Sequence, residues 1–131
     1  MTKKVILCVD DEKFVLDTLR TQITSHYGSD YECEIAENAE EALELIEEYH
    51  IDNLDLIIIV SDWLMPGIKG DEFLVRVHQK FPDIVKVMLT GQADADAIDR
   101  VKREASLHRC LHKPWKEHDL IETIKTGLEK L

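Results

Sequence analysis

The chain has no long apolar run. Its longest uninterrupted stretches, Val5 to Val9 and Leu56 to Val60, are five residues each, whereas a helix crossing a bilayer takes about 20. The N-terminus, Met1-Thr2-Lys3-Lys4, has the basic start of a secretory signal but runs through Val5–Val9 straight into Asp10-Asp11-Glu12. It lacks the extended apolar region and small-residue cleavage site that such a signal needs. Cysteine is scarce as well. Cys8, Cys33 and Cys110 are odd in number and have no metal-knuckle spacing, which fits buried thiols in a reducing compartment. A cytoplasmic protein is expected. The five glycines, Gly28, Gly67, Gly70, Gly91 and Gly127, build neither a dinucleotide fingerprint nor a Walker loop. No serine nucleophile elbow and no supported Cys–His pair occur either. These absences argue against nucleotide binding and hydrolase chemistry of those types.

Basic residues are missing from Thr21 to Ile68, a stretch that holds twelve Asp and Glu. Over the whole chain 16 Lys and Arg face 27 Asp and Glu, a net charge of −11. Such a charge repels a phosphate backbone and an anionic lipid surface, so neither direct nucleic-acid binding nor membrane binding is expected of this domain. The acidic run itself is read as solvated helix surface.

What is present fits one globular domain spanning residues 1–131. The chain has 131 residues, 44% hydrophobic and 33% charged, with no linker and no internal repeat. Two periodicities alternate along it. Val5–Val9, Glu32–Ala36, Leu56–Val60, Ile84–Leu89 and His108–His112 read as strands, the first and third being continuous apolar runs suited to burial on both faces. Between them run helical stripes: Val15, Leu16, Leu19 and Ile23; Ala42, Leu45, Ile46 and Tyr49; Phe73, Leu74, Val77 and Phe81; Ile98 and Val101; and Leu120, Ile121, Ile124 and Leu128. Asn38 followed by Glu41 resembles a capping box at the second helix. Five strand–helix units with short connections imply an α/β fold, a single doubly wound (βα)5 domain with a parallel sheet.

Ligands of such sheets bind beyond the carboxyl ends of the strands. There the chain places Asp10 and Asp11 after the first strand, Asp62 after the third, Thr90 and Gly91 after the fourth, and Lys113-Pro114 after the fifth. The second strand ends in Glu37-Asn38, a helix start. One empty strand end out of five is what a sheet of order 2-1-3-4-5, the flavodoxin-like arrangement, produces, because strand two lies at the edge. Three converging carboxylates require a cation or a proton. An all-oxygen cluster suits Mg²⁺, and with Lys113 and the Thr90 hydroxyl it is equipped to bind a phosphoryl group. A carboxylate in that setting can attack phosphorus and become an aspartyl phosphate.

Val9-Asp10-Asp11-Glu12, Asp62-Trp63-Leu64-Met65-Pro66 with Gly70, Leu89-Thr90-Gly91 and Lys113-Pro114 resemble, in order and over essentially the whole chain, the receiver domain of two-component response regulators. The resemblance implies that Asp62 is the phosphoacceptor, taking its phosphoryl group from a phosphohistidine of a sensor histidine kinase or a histidine phosphotransfer protein. It implies that Asp11, Asp62 and the backbone carbonyl of Leu64 bind Mg²⁺, with Asp10 acting through a metal-bound water. Thr90 is the implied switch hydroxyl and Lys113 the phosphoryl-pairing cation, with a cis Lys113-Pro114 bond. The state would be relayed through the face of the fourth helix, fifth strand and fifth helix to an attached or separate output domain, with phosphorylation-dependent dimerisation compatible with this scheme. Such a domain assists its own phosphorylation and dephosphorylation but is a signalling switch and not an enzyme. Leu89-Thr90-Gly91-Gln92-Ala93-Asp94 with Lys113-Pro114-Trp115 is similar to a subgroup of receivers often joined to larger output modules.

Three departures from the family pattern stand out. Cys110 occupies the position where the family has Tyr or Phe, three residues before the lysine, and its small thiol cannot sweep out a ring's volume, so Trp115 or His108 is expected to substitute in signalling through the fourth and fifth helices. The Asp11-to-Asp62 spacing is long, with the excess expected around His26–Tyr31 and His50–Leu54. Leu64 and Gln92 stand at the positions that govern water access to the acyl phosphate, and only Gln92 can orient a water, so it is expected to set the lifetime. Two alternatives remain. One is a constitutive interaction module with a vestigial site. The other is a Mg²⁺-dependent aspartyl-phosphate phosphatase, which would want an acid at Leu64. His108, Cys110 and His112 alternate as a zinc set would, but the same alternation suits strand packing, and no fourth ligand is evident.

Overall fold

In the computed structural model, which describes residues 3–91 and 95–131, five strands alternate with five helices. They are β1 (Lys4–Val9), α1 (Lys13–Tyr27), β2 (Glu32–Ala36), α2 (Ala39–Ile51), β3 (Asp55–Asp62), α3 (Gly70–Lys80), β4 (Val85–Thr90), α4 (Ala95–Ala105), β5 (Arg109–His112) and α5 (Glu117–Leu128). All strand pairs are parallel and the sheet order is β2-β1-β3-β4-β5.

Strand alternation divides the core into two layers. Val5, Leu7 and Val9 of β1 face the buried stripes of α2, α3 and α4, while Ile6 and Cys8 face those of α1 and α5. The apolar runs are thus continuous because both faces are covered. Between β1 and β3 the pairing passes from Val5↔Leu56 to Ile6↔Ile58, leaving Ile57 as an extra residue in a bulge. Ile57 and Ile58 consequently both join the α1/α5 layer. The segments expected to carry the long Asp11-to-Asp62 spacing contain the α1–β2 and α2–β3 connections, with α1 running to Tyr27 and α2 to Ile51.

Helix starts follow local chemistry. The Asn38 side chain accepts the Glu41 N–H at 2.8 Å, while the Glu41 carboxylate accepts from Glu37 N–H at 3.3 Å, one residue further back than a standard capping box. The zinc alternative does not form. His108 lies outside β5 and its Nε2 is held by the Thr123 carbonyl and the Thr126 hydroxyl of α5, whereas Cys110 packs in the other layer.

Candidate functional site

The carboxyl ends of β1, β3, β4 and β5 bring together the groups predicted to act there. Asp10 follows β1 directly and is fully buried, its N–H donating to the Ala36 carbonyl at 3.2 Å and its Oδ1 accepting from Glu12 N–H at 2.9 Å. Asp11, next along, is exposed. Asp62 closes β3 and is 4% exposed. Carboxylate oxygens of Asp10, Asp11 and Asp62 all lie within 4.8 Å of one another.

Lys113 reaches into this group from β5. Its Nζ lies 2.8 Å from Asp10 Oδ2, 3.1 Å from Asp62 Oδ1 and 3.7 Å from Glu12 Oε1. The Lys113 N–H donates to the Thr90 carbonyl at 2.8 Å, which joins the ends of β4 and β5, and the Lys113-Pro114 bond is cis. Thr90, the last residue of β4, is 2% exposed. Glu12, named in the sequence only as part of the Val9–Glu12 motif and given no role there, also faces Lys113. Its signal is its position, right after the acidic pair and before α1.

The electrostatics follow from this crowding. Burial, then the neighbouring charge of Asp10, push the Asp62 carboxyl up to about 6 against the pull of Lys113. Burial also raises Asp10, opposed by its hydrogen bonds from Lys113 and Glu12 N–H. Burial works to discharge Lys113, but Asp10 and Asp62 outweigh it and hold the ammonium above its usual range. One lysine charge cannot balance three carboxylates, and the all-oxygen donor set fits a hard divalent cation such as Mg²⁺.

Above these groups opens a cleft of about 510 Å³ lined by Asp11, Asp62, Trp63, Leu64, Gly91 and Lys113, among others. Leu64, 52% exposed, stands at its rim. The loop leaving Asp62 is closed tightly: Gly70 N–H donates to the Trp63 carbonyl at 2.7 Å, and a Cβ on Gly70 would lie 2.1 Å from the Asp62 carbonyl oxygen. Only glycine fits. The Lys69 ammonium lies 5.4 Å from the Trp63 ring centroid, closing the same loop from outside. Gln92, expected to set the phosphoryl lifetime, lies outside the described residues.

Fold and site together define a doubly wound domain with an acidic, lysine-bearing pocket at the topological switch point. The chain belongs to the response regulator receiver domain family, whose model matches residues 6–125. It is 30% identical over 124 residues to the hydrogenase transcriptional regulatory protein HoxA of Cupriavidus necator, covering 95% of this chain and 24% of that protein. The chain thus spans about a quarter of that relative's length. Among solved structures it is similar to a CheY-like response regulator receiver domain protein from Methanospirillum hungatei, with TM-score 0.85, 32% identity, and 98% and 96% of the two chains covered. The signal receiver domain of an HD domain-containing protein from Pseudomonas fluorescens matches with TM-score 0.85 and 27% identity, over 97% and 95% of the chains. Among the described residues no helix is long and apolar enough to cross a membrane.

Proposed function

We propose that residues 1–131 form one receiver unit in which Asp62 accepts a phosphoryl group from a phosphohistidine of a sensor histidine kinase or histidine phosphotransfer protein. The observation that carries this reading is the Lys113 ammonium lying between Asp10 and Asp62 in a pocket of three converging carboxylates. An Asp62 carboxylate oxygen attacks phosphorus, the P–N bond breaks, and its electron pair returns to the donor imidazole, which takes up a proton. Lys113, already 3.1 Å from Asp62 Oδ1, pairs with the charge that arrives on the phosphoryl oxygens. Thr90 at the end of β4 supplies the hydroxyl that follows this group. Asp11, Asp62 and the backbone carbonyl of Leu64 would hold Mg²⁺, with Asp10 acting through a bound water. The ion would offset the carboxylate charge and draw electron density from the transferring group.

The phosphorylated state is read out on the α4–β5–α5 face by an output domain, attached or separate, and a phosphorylation-dependent dimer is compatible with it. Leu64 cannot position a water, so the lifetime of the acyl phosphate falls to Gln92. The chain's work is signalling, with its own residues assisting transfer on and off.

Reduction with borohydride after phosphorylation tests the site assignment. An aspartyl phosphate at Asp62 is converted to homoserine, and peptide mapping then finds homoserine at position 62 and nowhere else. Homoserine at Asp10 or Asp11, or phosphate stable to the reductant, overturns the assignment.

A further inference from the structure

We propose that Arg100 is a positioning residue that ties α4 to the phosphoacceptor loop through the first turn of α3, serving in place of the threonine–aromatic coupling that Cys110 disrupts. The inference rests on the receiver reading given above.

Three contacts build the connection. First, Asp62 and α3 meet backbone to backbone: the Asp62 carbonyl abuts Gly70 with no space for a Cβ, and Gly70 N–H is bonded to the Trp63 carbonyl at 2.7 Å. Close-packed groups cannot absorb a shift by compression, so a displacement of the Asp62 peptide is passed to the start of α3. Second, the two residues after Gly70 are acidic, and both reach Arg100 of α4. The guanidinium makes ion pairs from Nη2 to Glu72 Oε1 at 2.9 Å and from Nη1 to Asp71 Oδ2 at 3.4 Å. Third, Nε binds Glu104 Oε2 at 3.2 Å, one turn along α4, so the fork is held on its own helix as well. Arg76 Nε holds the other Glu72 oxygen at 2.8 Å, which fixes that carboxylate from the α3 side.

Each guanidinium nitrogen thus has a different carboxylate, an arrangement that an ammonium cannot reproduce. The Asp71 pair is partly shielded, with side-chain exposures of 32% for Arg100 and 16% for Asp71, while Glu72 and Glu104 are exposed at 37% and 46%. Ordinary surface pairs in water add little stability. What this cluster adds is geometry: it joins two helices whose only covalent connection runs through β4. Cys110, on β5, packs in the same layer as Val101 and Ala105 of α4. Its small thiol cannot sweep out the volume of an aromatic ring, so α4 takes its position from α3.

Hydrogen exchange of the peptide covering Ala95–Ala105 tests this, comparing unphosphorylated protein with protein phosphorylated by acetyl phosphate and Mg²⁺. Intact mass of each sample scores the phosphoryl adduct. In the wild type, phosphorylation changes α4 exchange by about fivefold or more, the lower end of ordinary coupling. In Arg100→Gln the adduct forms to the same extent, and the phosphorylation-dependent change falls below about twofold. Glu72→Gln lowers the response similarly, and the double variant is no worse than either single one, as expected for one shared device. Arg100→Lys, which keeps charge and stem, restores only part of the response and serves if Arg100→Gln folds poorly. The ratio of the two states removes any general loosening of α4. A full α4 response in phosphorylated Arg100→Gln, or no α4 response in phosphorylated wild type, overturns the clamp while leaving Asp62 as the phosphoacceptor. Absence of an adduct on wild type from acetyl phosphate and from a phosphohistidine donor alike instead strikes the receiver reading, and the clamp with it.

Discussion

The Asp62 carbonyl oxygen and the α-carbon of Gly70 are in such close contact that a methyl group on Gly70 would lie 2.1 Å from that oxygen. Gly70→Ala therefore has to move either the end of β3 or the start of α3. Overpacking of this kind costs about 1–3 kcal/mol, and urea unfolding is expected to show a loss in that range. The same variant should weaken Mg²⁺ binding, because the carbonyl belongs to the residue whose carboxylate is a proposed ligand.

Asp62 makes stability depend on pH in an unusual direction. Its carboxyl is raised to about 6 in the folded chain from an ordinary value of 3.8. Between these values the folded state binds more protons than the unfolded one, so this group's contribution falls as pH rises from about 4 to about 6. Asp62→Asn removes that penalty. Allowing for solvent screening in the open cleft, it should stabilise metal-free protein by about 1–2 kcal/mol at pH 7.5. The gain should disappear near pH 4, as measured by denaturant unfolding at the two pH values.

Mg²⁺ affinity should carry the same signature. Ion binding requires the ionised carboxylate, so it competes with the proton that Asp62 holds below about pH 6. Tryptophan fluorescence, with Trp63 beside Asp62, can follow the titration. Affinity should fall steeply below pH 6, and Asp11→Asn should weaken it by about tenfold or more at pH 7.5.

Lys113 is the cation shared by Asp10 and Asp62. Lys113→Ala leaves those carboxylates uncompensated and should cost about 1–3 kcal/mol at pH 7.5. The cost should shrink toward pH 5, where the Asp62 carboxyl takes up a proton, and added Mg²⁺ should recover part of it.

Much of this arrangement was legible because strand ends in a parallel sheet are local features. Asp10, Asp62, Thr90 and Lys113 each stand at or just past the end of a strand segment, and the sheet order brings four such ends together. The bulge at Ile57 was hidden for the opposite reason: from Leu56 to Val60 every residue is apolar, so alternation carries no information about which face each takes. Lys86 was hidden too. It is 1% exposed within β4, its Nζ held by His78 Nδ1 at 2.6 Å and the Pro82 carbonyl at 3.1 Å. Neither partner is adjacent to it in sequence, and a lysine in a strand pattern ordinarily reads as a solvent-facing residue. The Arg100 cluster depends on residues 28 and 29 positions away, which no periodicity reports. Gly70 could be read as part of a motif, but the contact that demands glycine is visible only once α3 is seen against Asp62.

Intact mass after incubation with acetyl phosphate and Mg²⁺ decides whether Asp62 is a working phosphoacceptor, with Asp62→Asn and a chelator as controls and a phosphohistidine donor as a second source. A single phosphoryl group on the wild type, absent from both controls, is the predicted result. A wild-type chain that binds Mg²⁺ yet gains no phosphoryl group from either donor would contradict the account and leave a binding module with a vestigial site.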